Sequence, residues 1–238
     1  MPARMNPWPL LPLAASMSMG GGREKPAVTV DDVARKLRLD YLYAQKDQNQ
    51  KTLDGVQVLM EHFQKYDFSL DAFLNDTLNL MRRRLWIREI TVALLDRKED
   101  LYRYKLQSGL RREAWEAHTG LSYRPADIVN PAVYNGREIS KATTLYLAED
   151  HPYGQGEDDT YSRPIMLQSM RTAVDDSIEG DYLDSWMFGK GKEIVGWIEY
   201  SGTTGGKLPD AITLKWIELL ASLAAVAYTL SEAKAAKL

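Results

Sequence analysis

The heptapeptide Ile194–Tyr200 (IVGWIEY) constrains this chain more than any other stretch. Its side chains are bulky in both alternating sets, so as a strand it must be covered on both faces. A glycine turn at 189–192 (GKGK) separates it from Tyr182–Phe188, a second strand, and the pair reads as an antiparallel hairpin. Residues 90–95 are apolar on both faces and form another central strand. After the turn DRKED at 96–100, Tyr102, Tyr104 and Leu106 alternate with Arg103 and Lys105, the pattern of a strand with one wet face. Local pairing of this kind builds an antiparallel sheet. The expected fold class is α+β: a central antiparallel sheet flanked by helices, with an N-terminal helical extension.

The helices are read from period and caps. Thr29 opens a helix with Val33, Leu37 and Tyr41 on one face. Leu53, Val56, Leu59, Met60 and Phe63 share helical spacing after a polar patch at 45–52. Ser69 caps a third helix whose buried stripe is Leu70, Phe73, Leu74, Thr77, Leu78 and Met81. The last helix aligns Ile212, Trp216, Leu219, Leu220, Leu223, Ala227 and Leu230. Between 122 and 163 the pattern weakens to short strands such as 144–147 within loops, and a further strand is expected over 164–173. The organisation expected is a disordered tail over 1–28, a helical extension over 29–66 and a sheet domain over 67–238.

Composition closes off several function classes. Cysteine is absent, which removes disulfides, thiolate nucleophiles and cysteine-ligated metal. A formal charge of -3 and the lack of a broad basic face argue against nucleic acid, and Arg82, Arg83, Arg84 and Arg88 suit the negative end of a helix. With no uninterrupted apolar run of about 18 residues, no membrane partner is expected. The segment WPLLPLAAS at 8–16 is a poor secretory signal, since prolines break it and a single arginine precedes it. A cytoplasmic protein is expected.

Residues 180–234 resemble the closing half of a GAF domain. They run strand, glycine turn, strand, proline-bearing loop, and then a helix with Leu220, Ala221, Ala224, Ala225 and Ala227 on the face that packs on the sheet. The opening half, a helix over 70–85 feeding a hairpin over 90–106, is similar too, and the likeness extends over about 67–234. The resemblance implies a sensor or regulatory domain. The Asn-Lys-x-x-x-Phe-x-x-x-Asp-Glu pattern of cyclic-nucleotide-binding members is missing, and bilin attachment or sulfoxide reduction would need cysteine. Gly196 is the strand position at which a helix or a bulky neighbour could approach closely.

No catalytic motif emerges. The loop GTTGGK at 202–207 departs from a Walker loop in spacing and in Leu208. The acidic group Asp175, Asp176, Glu179, Asp181 and Asp184 carries Trp186 where an EF-hand needs glutamate, so it reads as a solvated loop. His62, His118 and His151 lie too far apart in sequence for a paired-histidine metal motif. No metal and no cofactor are therefore expected. The ligand-binding candidates are Trp115, Tyr134, Arg137, Tyr146, Tyr153, Tyr161, Arg163 and Trp186, aromatic walls plus two cations of the kind that line small-ligand pockets. Arginine suits carboxylate or phosphate, so an anionic small molecule is among the expected ligands.

The function expected is a small-molecule-sensing or regulatory domain that signals through a protein partner and is not an enzyme. The alternative is a structural or assembly subunit with a closed, ligand-free pocket. Either reading admits a homodimer formed through the first and last helices.

Overall fold

The computed structural model describes residues 30–43, 45–128, 130–132, 134–150, 157–167 and 169–236. The chain divides into two units between Gln45 and Lys46. The first contributes a single described helix, α1 (Val30–Tyr43), in which no residue is buried. Val33, Leu37 and Tyr41, expected as a packing stripe, are all exposed there.

The second unit begins with α2 (Gln48–Met60), continues as a 3-10 turn (Glu61–Gln64) and leads to α3 (Leu70–Arg84). Asp47 and Gln50 form a reciprocal capping box that starts α2, so the polar patch carries the start signal of this helix. Val56 and Leu59 are buried and Phe63 packs on the core, whereas Leu53 and Met60 face outward. Helix α3 starts as read: the Ser69 Oγ accepts from the Ala72 amide at 3.3 Å. Phe73, Leu74, Thr77, Leu78 and Met81 are buried, joined by Leu80.

Among the described residues the sheet has seven strands: β1 (Ile90–Asp96), β2 (Leu101–Ser108), β3 (Ser122–Tyr123), β4 (Arg137–Glu138), β5 (Thr143–Tyr146), β6 (Tyr182–Phe188) and β7 (Ile194–Tyr200). Their order is β3-β2-β1-β7-β6-β5-β4, and every neighbouring pair is antiparallel. The doubly apolar strands β1 and β7 stand at the centre, as their composition requires. Between β2 and β4 lie α4 (Arg112–Gly120) and the single turn α5 (Pro125–Ile128). The expected strand over 164–173 does not form. Pro164–Met166 is a 3-10 turn, and Ile165 is 92% exposed, so apolar side chains that mimic a strand lie on the surface instead.

The last helix, α6 (Ala211–Ala235), opens on Asp210, whose carboxylate accepts from the Thr213 amide at 2.7 Å. It lies with α3 on one face of the sheet. The stripe read from periodicity is rotated away from the true one. The buried side is Ile217, Leu220, Ala221, Ala224, Ala225, Ala227 and Tyr228, while Ile212, Leu219 and Leu230 are exposed. A face of alanines brings the helix axis close to the sheet, and the larger side chains are left on the outside. Helix α6 is long and apolar enough to cross a bilayer, and its apolar character goes into burying side chains between Ile217 and Tyr228 against the sheet. Gly196 answers to a different neighbour from the one expected: a Cβ there would collide with the backbone carbonyl of Ala93 on β1, not with α6.

Candidate functional site

Strand alternation sends two sets of side chains to opposite faces. On the α6 face Thr143, Ser185 and Tyr200 form a hydroxyl chain, with 3.1 Å at each link, and Thr143 donates to Glu218 of α6 at 3.1 Å. The other face gathers Thr91 from β1, Tyr104 from β2, Tyr146 from β5, Asp184 and Trp186 from β6, and Trp197 and Glu199 from β7. With α4 and the chain around 157–162 they line a cavity of about 80 Å³. That space holds several waters or one small organic molecule.

The walls are aromatic. Trp197 sits edge-on to Trp186 at 5.9 Å, to Tyr104 at 6.0 Å and to Tyr123 at 5.9 Å between ring centres. Tyr146 stacks on Tyr182 at 4.5 Å. Carboxylates stand among these rings. Glu199 accepts from the Tyr104 hydroxyl at 2.6 Å and from Thr91 at 3.4 Å, and His118 Nε2 lies 3.4 Å from it. Glu157 accepts from the hydroxyls of Tyr123 and Tyr134 at 3.1 and 3.0 Å. Burial holds the Tyr104 and Tyr123 hydroxyls well above the ordinary phenol range, so both remain donors. Burial pulls the His118 imidazole down, but its hydrogen bond with Glu199 and that carboxylate's charge outweigh this and leave it raised.

Asp184 is the exception among these groups. It pairs in register with Glu199 across β6 and β7, so two carboxyl groups stand directly opposite each other on one face. Asp184 is 6% exposed and Trp197 2%. The Oδ1 of Asp184 and the indole Nε1 of Trp197 are buried and find no hydrogen-bond partner among the described residues. Burial first, and then the charge of Glu199, holds the Asp184 carboxyl well above the usual carboxylate range. One orphaned acceptor and two orphaned donors, the second donor being Arg88 Nε, therefore line one aromatic cavity.

No family model matches the sequence, and no curated protein matches it. Solved structures do. A GAF domain/HD domain protein from Geobacter sulfurreducens is 13% identical with a TM-score of 0.50, over 69% of this chain and 94% of that one. The GAF domain of an Acinetobacter phosphoenolpyruvate-protein phosphotransferase is 13% identical with a TM-score of 0.50, over 79% of this chain and 97% of that one. The fold is that of a GAF domain.

Within this GAF fold, Tyr134, Tyr146, Tyr161 and Trp186 come together on the cavity wall. Trp115 lies one turn before His118 and stacks on it at 6.4 Å, packed against the core and set back from the wall. Both arginines are engaged elsewhere: Arg137 pairs with Asp150 at 2.6 Å, and Arg163 with Glu179 at 2.9 Å. Tyr153 and His151 lie outside the described residues. The acidic group is not a solvated loop. Glu179 and Asp181 are buried against Arg163 and Arg171, Asp175 and Asp176 hold Lys207, and Asp184 turns into the cavity. Lys207 of the GTTGGK loop is thus committed to an ion pair.

Sequence reading missed Tyr104, Tyr123, Asp184, Trp197 and Glu199 as wall residues. A signal was present. Period-two alternation puts Asp184 beside Trp186 on one face of β6, and Glu199 beside Trp197 on one face of β7. Charged residues at inward positions of strands covered on both sides are where a site is to be sought.

Proposed function

We propose that this chain is a regulatory, ligand-sensing GAF module that binds a small molecule between the sheet and α4 without catalysing a reaction, and that passes the signal to a protein partner. The observation that carries this reading is the pair of orphaned polar atoms, Asp184 Oδ1 and Trp197 Nε1, in one aromatic cavity. Buried groups of this kind cost roughly 1–3 kcal/mol each when left unsatisfied, and a ligand that supplies both partners recovers that cost. The GAF likeness supports the reading at the level of fold alone.

The output surface in this reading is the outer face of α6. Ile212, Trp216, Leu219, Leu223, Val226 and Leu230 recur at alternating intervals of four and three residues, the spacing of a coiled-coil seam, with Trp216 and Leu223 half-buried against the core and the other four exposed. Leu219 is 41% exposed, Val226 56% and Leu230 41%. A homodimer built on this seam places α6 between the cavity's sheet and the partner copy, so ligand-dependent packing reaches the interface. The same seam would serve an assembly subunit with a closed cavity, the alternative reading.

Native mass spectrometry of protein purified without added ligand, paired with a denaturing run, tests the proposal. A small mass lost on denaturation is the expected result. A bare mass under gentle conditions, together with no thermal shift from any member of a small-metabolite panel, overturns the sensor and leaves the assembly subunit.

A further inference from the structure

We infer that the ligand of this cavity is a small organic cation, an alkylammonium carrying an oxygen acceptor, with its charge seated at Asp184 and Glu199. This rests on reading the cavity as a ligand site, and it adds the chemistry of the occupant.

The charge argument comes from registry. Like charges directly opposite on neighbouring strands destabilise a sheet, and here they do so in a buried setting. Tyr104, Thr91 and His118 satisfy Glu199. Nothing in the described chain does this for Asp184 Oδ1. Two basic side chains nearby are spent on other acids: Arg163 on Glu179, and Arg171 on Asp181 at 2.8 Å. Arg88, the one lysine or arginine among the lining residues, lies 3.7 Å from the Glu89 carboxylate, and its buried Nε, like Asp184 Oδ1, finds no hydrogen-bond partner among the described residues. An anion entering here would meet the Glu199 carboxylate and the unsatisfied Asp184 Oδ1 opposite it, whereas a cation would complete the pair, with Asp184 giving up its proton on binding. This reverses the charge expected from Arg137 and Arg163.

The walls point the same way. Faces of tryptophan and tyrosine attract ammonium groups through the ring quadrupole, most strongly where water is excluded. Trp186, Trp197, Tyr104, Tyr146 and Tyr182 surround the two carboxyl groups. The indole N–H of Trp197 asks for an acceptor, which a hydroxyl or ether on the ligand supplies. The cavity's modest volume restricts the occupant to a few heavy atoms beyond the ammonium.

The test uses the full chain and four probes: choline, ethanolamine, acetate, and 3,3-dimethyl-1-butanol, the uncharged carbon isostere of choline. Titration is followed by tryptophan fluorescence and calorimetry. At least one cation is expected to bind ten-fold or more tightly than the isostere and acetate, and Asp184→Asn and Glu199→Gln are each expected to lose that preference. Thermal melts establish that both variants fold. If the isostere binds as well as choline, if acetate binds better, or if native spectra release a compound with no positive charge, the cationic assignment falls and the cavity remains a ligand site. If no probe binds and the protein is bare, both fall. If no probe binds but the released compound is a cation, the assignment stands.

Discussion

The proton on Asp184 links structure to pH. Its folded pKa lies above the ordinary value of 3.8, so between the two the native state holds a proton that the unfolded chain has released. For this group, stability is full below the unfolded carboxyl pKa and declines as pH rises toward the folded one. Asparagine removes the ionisation, while Glu199, His118 and Tyr104 still face the position. The ligand-free Asp184→Asn protein is therefore expected to be more stable at pH 7 by up to about 1 kcal/mol, or ~2–4 °C in Tm. That advantage should shrink on acidification to about pH 4, as melts across the range would read. Melting curves for the two proteins that stay parallel at every pH would contradict the assignment. Gain of stability on removing a polar side chain is the usual mark of a residue kept for binding.

Helix α6 carries two faces with different duties, and substitutions separate them. Leu220 is fully buried against the sheet, and Leu220→Ala is expected to cost about 2–5 kcal/mol in denaturant unfolding. Leu219, its neighbour in sequence, is expected to change stability by less than about 0.5 kcal/mol as Leu219→Lys while shifting the sedimentation profile toward monomer. An unchanged profile would remove the seam from the output route. The same helix marks how far sequence could be read. Its existence was legible from the stripe between Ile212 and Leu230, and the alanine positions supplied by the GAF resemblance lie in the core. Hydrophobic periodicity placed the stripe partly off the core: Leu220 and Ala227 are buried, but Ile212, Leu219 and Leu230 are exposed, because the pattern weighs leucine above alanine and the sheet takes the small residues. Strands β1, β2, β6 and β7 were legible because each is long and patterned. The two-residue strands β3 and β4 are too short to leave a period, and the apolar surface residues Ile165, Met166 and Met170 imitated a strand that is not there. Of the cavity wall, the loop tyrosines were legible by crowding, while Asp184 and Glu199 were not, since their meaning arises only from pairing two strands.

Protection against hydrogen exchange should be graded across the chain. The central strands β1 and β7 carry Ile90, Val92, Trp197 and Ile198 with almost no exposure, and their amides are expected to exchange only through global unfolding. Helix α1, with 14 residues and none buried, is too short to be stable alone in water, and its amides are expected to exchange orders of magnitude faster. Strong protection in 30–43 would instead mark an interface that covers Val33, Leu37 and Tyr41.

The two-residue strands that end the sheet also decide how this molecule can be joined by another. A long bare edge offers unpaired amides and carbonyls on which a foreign strand can template itself, whether as a recognised peptide or as the start of a fibril. Here one margin is Ser122–Tyr123 and the other Arg137–Glu138, the latter bearing two exposed charges. Neither is long enough to register an incoming chain. These two margins therefore give a foreign strand little backbone to pair with, and association through them falls to side-chain surfaces, where specificity is set by shape and charge and not by the sequence-blind backbone.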